Sequence, residues 1–430
     1  MLFNLYIDDI DEIFDSSCSP VEFQNENLNH FLYADDLVLL SVSKEGLQNC
    51  LNRVQQFAKN KRLTVSVKKS KTMVFNQAGK MIHNPFIIDD KPLEQVQSFC
   101  YLGFDVKCSG TVKHAMNVLC DKAKKALRPL LSAYVKFNIP VRTSINLFHA
   151  FVSPILLYNT ENWVTLTDNK IQNFSEKRLI EAISDSRVDT MHRKLLKFLL
   201  GVSKSCPNFS MYGETGEIPI SFKSYRLALN FWHRLLNLPD DTLAKKALIE
   251  NVRLGTNWIL TIEKLIDCFN LADKIGKHEN FKRQSKIEID RVYVNYWNTE
   301  LRNPDLSRLN LYKEIKGEFK MEHYLQTTNV EHRRAIAKIR CSDHTLEVEK
   351  GRHKNIPRSE RKCKLCTLDE IETEEHFLIR CTKYNFLKTK YEIENYKTVS
   401  EIFNGIDSEC LGNYLIEAFK LRENSINLNN

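Results

Sequence analysis

Short apolar runs broken by polar turns fill the chain up to about residue 110, and apolar positions at helical spacing dominate after that. "FLYADDLVLLS" (31–41) sets two apolar runs around adjacent carboxylates and predicts a β-hairpin whose tight turn carries Asp35 and Asp36. A helix follows, with Leu47, Leu51, Val54 and Phe57 or Ala58 on one face. "LTVSV" (63–67) and "TMVF" (72–75) predict strands joined by the basic turn "KKSK", and "FCYLGFDV" (99–106) predicts another strand or hairpin. From Thr111 onward the spacing is helical. "HAMNVLCDKAKKALRPLLSAY" (114–134) puts Met116, Leu119, Ala123, Ala126 and Leu130 on one stripe, with Lys122, Lys124, Lys125 and Arg128 mostly off it. "INLFHAFVSPILLYN" (145–159) is too short to span a bilayer and is interrupted by His149, Ser153 and Pro154, so it predicts a buried helix pair. Helices broken near Pro207, Gly213, Gly216, Pro219, Pro239 and Pro304 continue to about residue 330, and the closing "ENSINLNN" has the composition of a disordered end. The expected class is α+β: a short antiparallel sheet with helices, then a mostly α-helical body.

Composition changes this picture in two places. A hydrophobic share of 43% and a charged share of 27% are ordinary for a soluble globular chain. The net charge of +8, however, hides an asymmetry: residues 1–43 carry nine acids and no Lys or Arg, so the remainder carries +17. An acidic segment ahead of a basic body suits divalent cations at one place and a polyanion along the rest, although solvated surface charge would give the same count. Twelve cysteines, mostly isolated and with no basic, apolar leader at the start, predict free thiols in a reducing compartment.

Neighbouring carboxylates repel one another and lose hydration when partly buried; a hard divalent cation compensates both costs. Alone, the Asp pair reads more readily as an exposed turn. It is accompanied, in order, by "LFNLYIDDI" (2–10), "LTVSVKKSKTMVF" (63–75), "SFCYLGFDV" (98–106), "SPILLYNTENW" (153–163) and "HRKLLKFLLGVSKSCPNFSMYGETGEIPI" (192–220). This succession resembles the reverse transcriptases of LINE-type (non-LTR) retrotransposons.

The resemblance implies an RNA-directed DNA polymerase family using two-metal nucleotidyl transfer with Mg²⁺ or Mn²⁺. Asp35 and Asp36 match its metal-binding palm aspartates, and Tyr33 and Ala34 match residues near the primer end. Lys71 matches a lysine beside the leaving pyrophosphate, though it also reads as one cation of a basic turn. Tyr101, Leu102 and Gly103 match the primer-grip hairpin. The family carries a third palm aspartate and nucleotide-binding fingers upstream of these motifs, and this sequence begins after both. Asp8 and Asp9 read as turn or helix-terminal acids and not as substitutes. The expectation is therefore a polypeptide that does not polymerise DNA alone, with a non-catalytic RNA- or DNA-binding protein as the alternative.

A second constellation is "CKLCTLDEIETEEHFLIRC". Cys363, Cys366, His376 and Cys381 have the spacing C-x2-C-x9-H-x4-C, which can close a structural tetrahedral Zn²⁺ site; three free thiols and a surface histidine are the alternative. Five positions on an α-helix turn through about 500°, so Cys381 is expected past a helix end. Residues 333–362 hold ten Lys or Arg against four acids, among them Arg352, Lys354, Arg358, Arg361 and Lys362, and read as a nucleic-acid surface or a basic linker. With Lys122, Lys124, Lys125 and Arg128 they are the expected phosphate contacts. The expected segments are a palm remnant (1–108), thumb (109–165), helical region (166–330), basic segment with CCHC knuckle (331–386), and a helical tail with a disordered end (387–430). Expected partners are RNA template and DNA primer or target, with no membrane and with self-association through the incomplete palm; the expected location is cytoplasmic and nuclear.

Overall fold

A computed structural model describes residues 2–75, 85–164, 176–184, 186–275, 280–303, 307–326 and 329–428. The α+β expectation holds: short strand pairs come first and helices follow. The chain forms two compact units, residues 1–118 with 238–254, and residues 119–237 with 255–430.

In the first unit the strands pair only two by two. They are β1 (Val21–Phe23) with β2 (Glu26–Leu28), β3 (His30–Tyr33) with β4 (Asp36–Leu39), β5 (Lys71–Thr72) with β8 (Glu94–Gln95), β6 (Ile87–Ile88) with β7 (Lys91–Pro92), and β9 (Ser98–Tyr101) with β10 (Phe104–Lys107). All pairs are antiparallel except β5–β8. The helix Lys44–Asn60 opens on a Ser43 cap, whose hydroxyl accepts from the Gly46 N–H, and buries Cys50, Leu51, Val54, Phe57 and Ala58. Leu51 packs with Phe86, Ile88 and Leu93, and Phe57 packs with Ile7 and Ile10. The expected strand at 63–67 is not formed. That stretch has no strand partner, and only Lys71 and Thr72 of the following segment pair; 76–84 lie outside the described residues. The helix Leu243–Leu254 belongs to this unit, where Lys246 pairs with Glu26 and Glu250 accepts from Gln24 at 2.6 Å.

The helix Lys113–Phe137 leads into the second unit, which is helical. Its main core gathers Ile180, Ile183, Phe222, Leu229, Leu265, Phe269 and Tyr293, and a smaller one gathers Trp297, Leu309 and Tyr312. The expected buried helix pair is present as Val141–Phe151 and Ser153–Leu156, with Phe148, Val152 and Leu156 fully buried. Two expectations are corrected here. First, the basic run is not one surface: in the helix Val330–Arg340, Arg333 and Arg340 are buried. Arg340 forms a fork onto Glu214 at 2.8 and 3.0 Å and reaches Glu322 at 3.1 Å, and Tyr324 donates to Glu214 at 2.6 Å. Second, most of the expected disordered end is helical: the helix Ser408–Leu428 takes in residues 423–428, anchored one residue earlier by buried Arg422, and 429–430 lie outside the described residues.

Candidate nucleic-acid and metal sites

The predicted hairpin forms, but its register pairs Tyr33 with Asp36 and leaves Ala34 and Asp35 as the two-residue turn, so Asp35 lies in the turn and Asp36 opens β4. Ala34 has a positive φ of 53° and Asp35 does not, which is the type II′ arrangement suited to the twist of a hairpin. Alanine in this region costs about 1 kcal/mol, a strain typical of positions held for function. Tyr33, Ala34, Asp35 and Asp36 are all exposed, so the carboxylates stand at the tip and not in a desolvated cleft.

The β9–β10 hairpin has the same construction. Tyr101 pairs with Phe104, and Leu102 and Gly103 have φ of 47° and 81°, the two positive values of a type I′ turn. The glycine is the ordinary solution there; the leucine is strained. Burial, with the nearby charge of Asp36, raises the Tyr101 pKa, which ties this hairpin electrostatically to the aspartate tip. Lys71 is held by Glu94 at 2.5 Å across β5–β8. Asp9 lies in a 3₁₀ turn (Asp8–Ile13) and binds Lys61 at 2.7 Å, and that hydrogen bond lowers its pKa; it acts as a structural acid, as its position suggests. Among the described residues no third Asp, Glu, His or Cys joins Asp35 and Asp36 in a ligand-sized cluster.

The knuckle residues do come together. The ligand atoms of Cys363, Cys366, His376 and Cys381 all lie within 4.8 Å of one another. Cys363 Sγ is 3.9 Å from Cys381 Sγ, and Cys366 Sγ is 3.4 Å from His376 Nε2. A tetrahedral zinc ion with ordinary bond lengths needs edges of about 3.8 and about 3.5 Å for those pairs. The difficulty of the x4 spacing is solved by a π-turn. Residues His376–Arg380 wind with a wider turn than an α-helix, the Cys381 N–H donates to the His376 carbonyl at 2.7 Å, and Cys381 leaves in extended conformation. A short bridge, Lys362 to Ile371, closes the other side.

Two supporting residues carry no signal in the sequence. Glu370 accepts from His376 Nδ1 at 2.9 Å, which turns Nε2 toward the thiols. Lys388 donates to the carbonyls of Ile379 and Cys381, and its burial lowers its pKa. A hydrogen bond from Cys381 holds the Cys363 thiol down, to about 3, and raises Cys381 in turn: one proton serves both. Burial opposes the charge on His376, but bonds to Cys363 and Glu370 outweigh it and raise its pKa. The cluster is compatible with zinc.

The expected phosphate contacts divide. Lys122, Lys124, Lys125 and Arg128 are exposed along one helix whose Leu119, Ala123 and Leu127 are buried; Lys124 also touches Asp121 at 2.9 Å. Lys354 and Arg358 are exposed. Arg352 is bound by Glu349 at 2.9 Å, and Lys362 by Asp369 at 2.5 Å. Arg361 is half-buried and donates to the Ile356 and Val348 carbonyls at 2.8 Å, so it clamps the fold. No described helix is long and apolar enough to cross a membrane.

Comparison with known proteins adds to this geometry. The family model described as "Reverse transcriptase (RNA-dependent DNA polymerase)" matches residues 1–106, the stretch that holds both hairpins. The chain is 23% identical over 315 residues to the "Retrovirus-related Pol polyprotein from type-1 retrotransposable element R2" of Nasonia vitripennis. That match covers 68% of this chain and 29% of the relative, so the chain spans under a third of the relative's length. The order of motifs, the family match and this relative agree: residues 1–106 match the reverse transcriptase family, and the chain as a whole is similar to a non-LTR retrotransposon polyprotein.

Proposed function

We propose that this chain contributes the two-carboxylate hairpin and the nucleic-acid-holding body of an RNA-directed DNA polymerase, and that alone it holds primer and template without extending the primer. The observation that carries this reading is the Asp35–Asp36 tip with no third ligand beside it among the described residues. Magnesium requires near-octahedral oxygen coordination, and two-metal transfer requires carboxylates that bridge both ions. The residues present supply part of such a site and do not complete it. Lys122, Lys124, Lys125 and Arg128, exposed on the helix Lys113–Phe137, favour a binding role that does not depend on catalysis, which is the alternative reading as an RNA- or DNA-binding protein. They would follow the backbone of an RNA–DNA duplex by charge and shape. Zinc held by the Cys363, Cys366 and Cys381 thiolates and His376 Nε2 would staple the knuckle, whose four protein ligands leave no open position for chemistry.

Primer extension on an RNA template with Mg²⁺ or Mn²⁺ tests both halves. The expected result is no template-dependent incorporation, together with duplex binding that weakens steeply as salt rises. Replacing Lys122, Lys124, Lys125 and Arg128 by Ala should weaken binding and flatten the salt dependence. Incorporation that Asp35→Ala abolishes would overturn the first half. Binding that does not respond to salt would overturn the second.

A further inference from the structure

The geometry points to a second metal site, remote in sequence from the knuckle: His149, His192 and Glu217 form a two-histidine, one-carboxylate centre for a divalent transition-metal ion such as Zn²⁺. Their ligand atoms lie within 4.8 Å of one another. His149 Nε2 is 2.9 Å and His192 Nε2 is 3.7 Å from the same oxygen, Glu217 Oε2. A tetrahedral ion with such ligands needs edges of about 3.4 Å, and the two nitrogen–oxygen edges lie within about half an ångström of that value. Imidazole nitrogens with a carboxylate select zinc-like ions over magnesium or calcium, which take oxygen.

Three separate elements deliver these groups. His149 lies on the helix Val141–Phe151 and His192 on Asp189–Leu200; Glu217 follows the helix Asn208–Thr215. Gly216 makes that delivery possible: its φ is +64°, and a Cβ there would lie 2.6 Å from the Met321 nitrogen.

A second, independent observation is the state of His192. It is fully buried, its ring stacks on Phe148 with centroids 5.3 Å apart, and neither ring nitrogen has a hydrogen-bond partner among the described residues. Buried polar nitrogens are nearly always satisfied, and a metal at Nε2 would satisfy one of these. His149 and Glu217 are partly exposed, with side chains 32% and 14% accessible, which gives an ion a route in and leaves a fourth position for water. The other carboxylate oxygen, Oε1, faces Arg142 at 4.0 Å.

The test is bound-metal stoichiometry of the full chain in Zn²⁺, with Co²⁺ substitution to report ligand type. The wild type should bind one equivalent beyond that held through thiols. His192→Gln and Glu217→Gln should each lose that equivalent, retain helical circular dichroism and retain the thiolate-to-cobalt charge-transfer band. A variant carrying Cys363→Ser and Cys366→Ser should still bind one Co²⁺ with only nitrogen and oxygen ligands by X-ray absorption. Equal stoichiometry in wild type and folded His192→Gln would overturn the site. If the histidine variant does not fold, the cysteine variant decides: an ion bound through nitrogen and oxygen supports the site, and no bound ion overturns it.

Discussion

At the scale of single residues, turn chemistry and side-chain periodicity were legible because they depend on near neighbours. The Asp35–Asp36 tip and the buried face of Lys44–Asn60 both follow from a few adjacent positions. Cys50 shows what a local reading leaves out. It is fully buried, its sulfur lies 3.9 Å from the Cys18 carbonyl, and burial, followed by the neighbouring Cys18 thiol, pushes its pKa from 9.0 to about 12. The sign follows from proton linkage. Between those values the unfolded thiol ionises while the folded one keeps its proton, so its contribution is complete below pH 9.0 and is lost as pH rises toward about 12. The urea midpoint of the wild type should therefore fall more steeply over this range than that of Cys50→Ala, which lacks the titrating group but also loses some packing at every pH. Parallel curves would mean that Cys50 does not hold its proton in the fold.

At the scale of elements, what the sequence concealed is long-range pairing. The basic stretch 333–362 reads as a nucleic-acid surface or a basic linker until the fold brings Glu214 and Glu322 beside Arg340. The knuckle is similar: its ligands were legible from spacing, but the π-turn, Glu370 and the tie to the last helix were not. Through that tie Arg422 donates to both oxygens of Glu372, at 2.8 and 2.6 Å, with each side chain nearly inaccessible. Glu372 Oε2 also accepts the Glu347 N–H at 2.7 Å, so one carboxylate fastens two segments and the helix Ser408–Leu428 together. Removing the cation strands a buried anion, which costs about 3–5 kcal/mol. Arg422→Met should lower unfolding free energy by that order, and adding Glu372→Met should recover part of it, because the nearer of the two buried carboxylates that Arg422 serves, Glu372 at 2.6 Å and Glu347 at 3.5 Å, is then gone. A double variant less stable than the single by a further full increment would show that packing, and not the uncompensated charge, sets the cost.

At the scale of the whole molecule, the hardest feature to read was how the strands pair. Periodicity identified the hairpins at 30–39 and 98–107 but not how many neighbours each strand would find, and among the described residues β3 and β4 have only each other. Phe31 and Leu32 are exposed on a strand whose outer N–H and C=O groups face no further strand among the described residues. Two-stranded hairpins are marginal alone, and an apolar open edge templates pairing with another chain. A second copy could cover the edge by the same antiparallel ladder that a neighbouring strand would supply. Size-exclusion chromatography with light scattering across a concentration series should then give a mass that rises with concentration. Leu32→Lys, which places a charge on the open strand, should return the chain toward monomer without changing its helical signal. A wild type that stays monomeric throughout the series would show that this edge does not drive association.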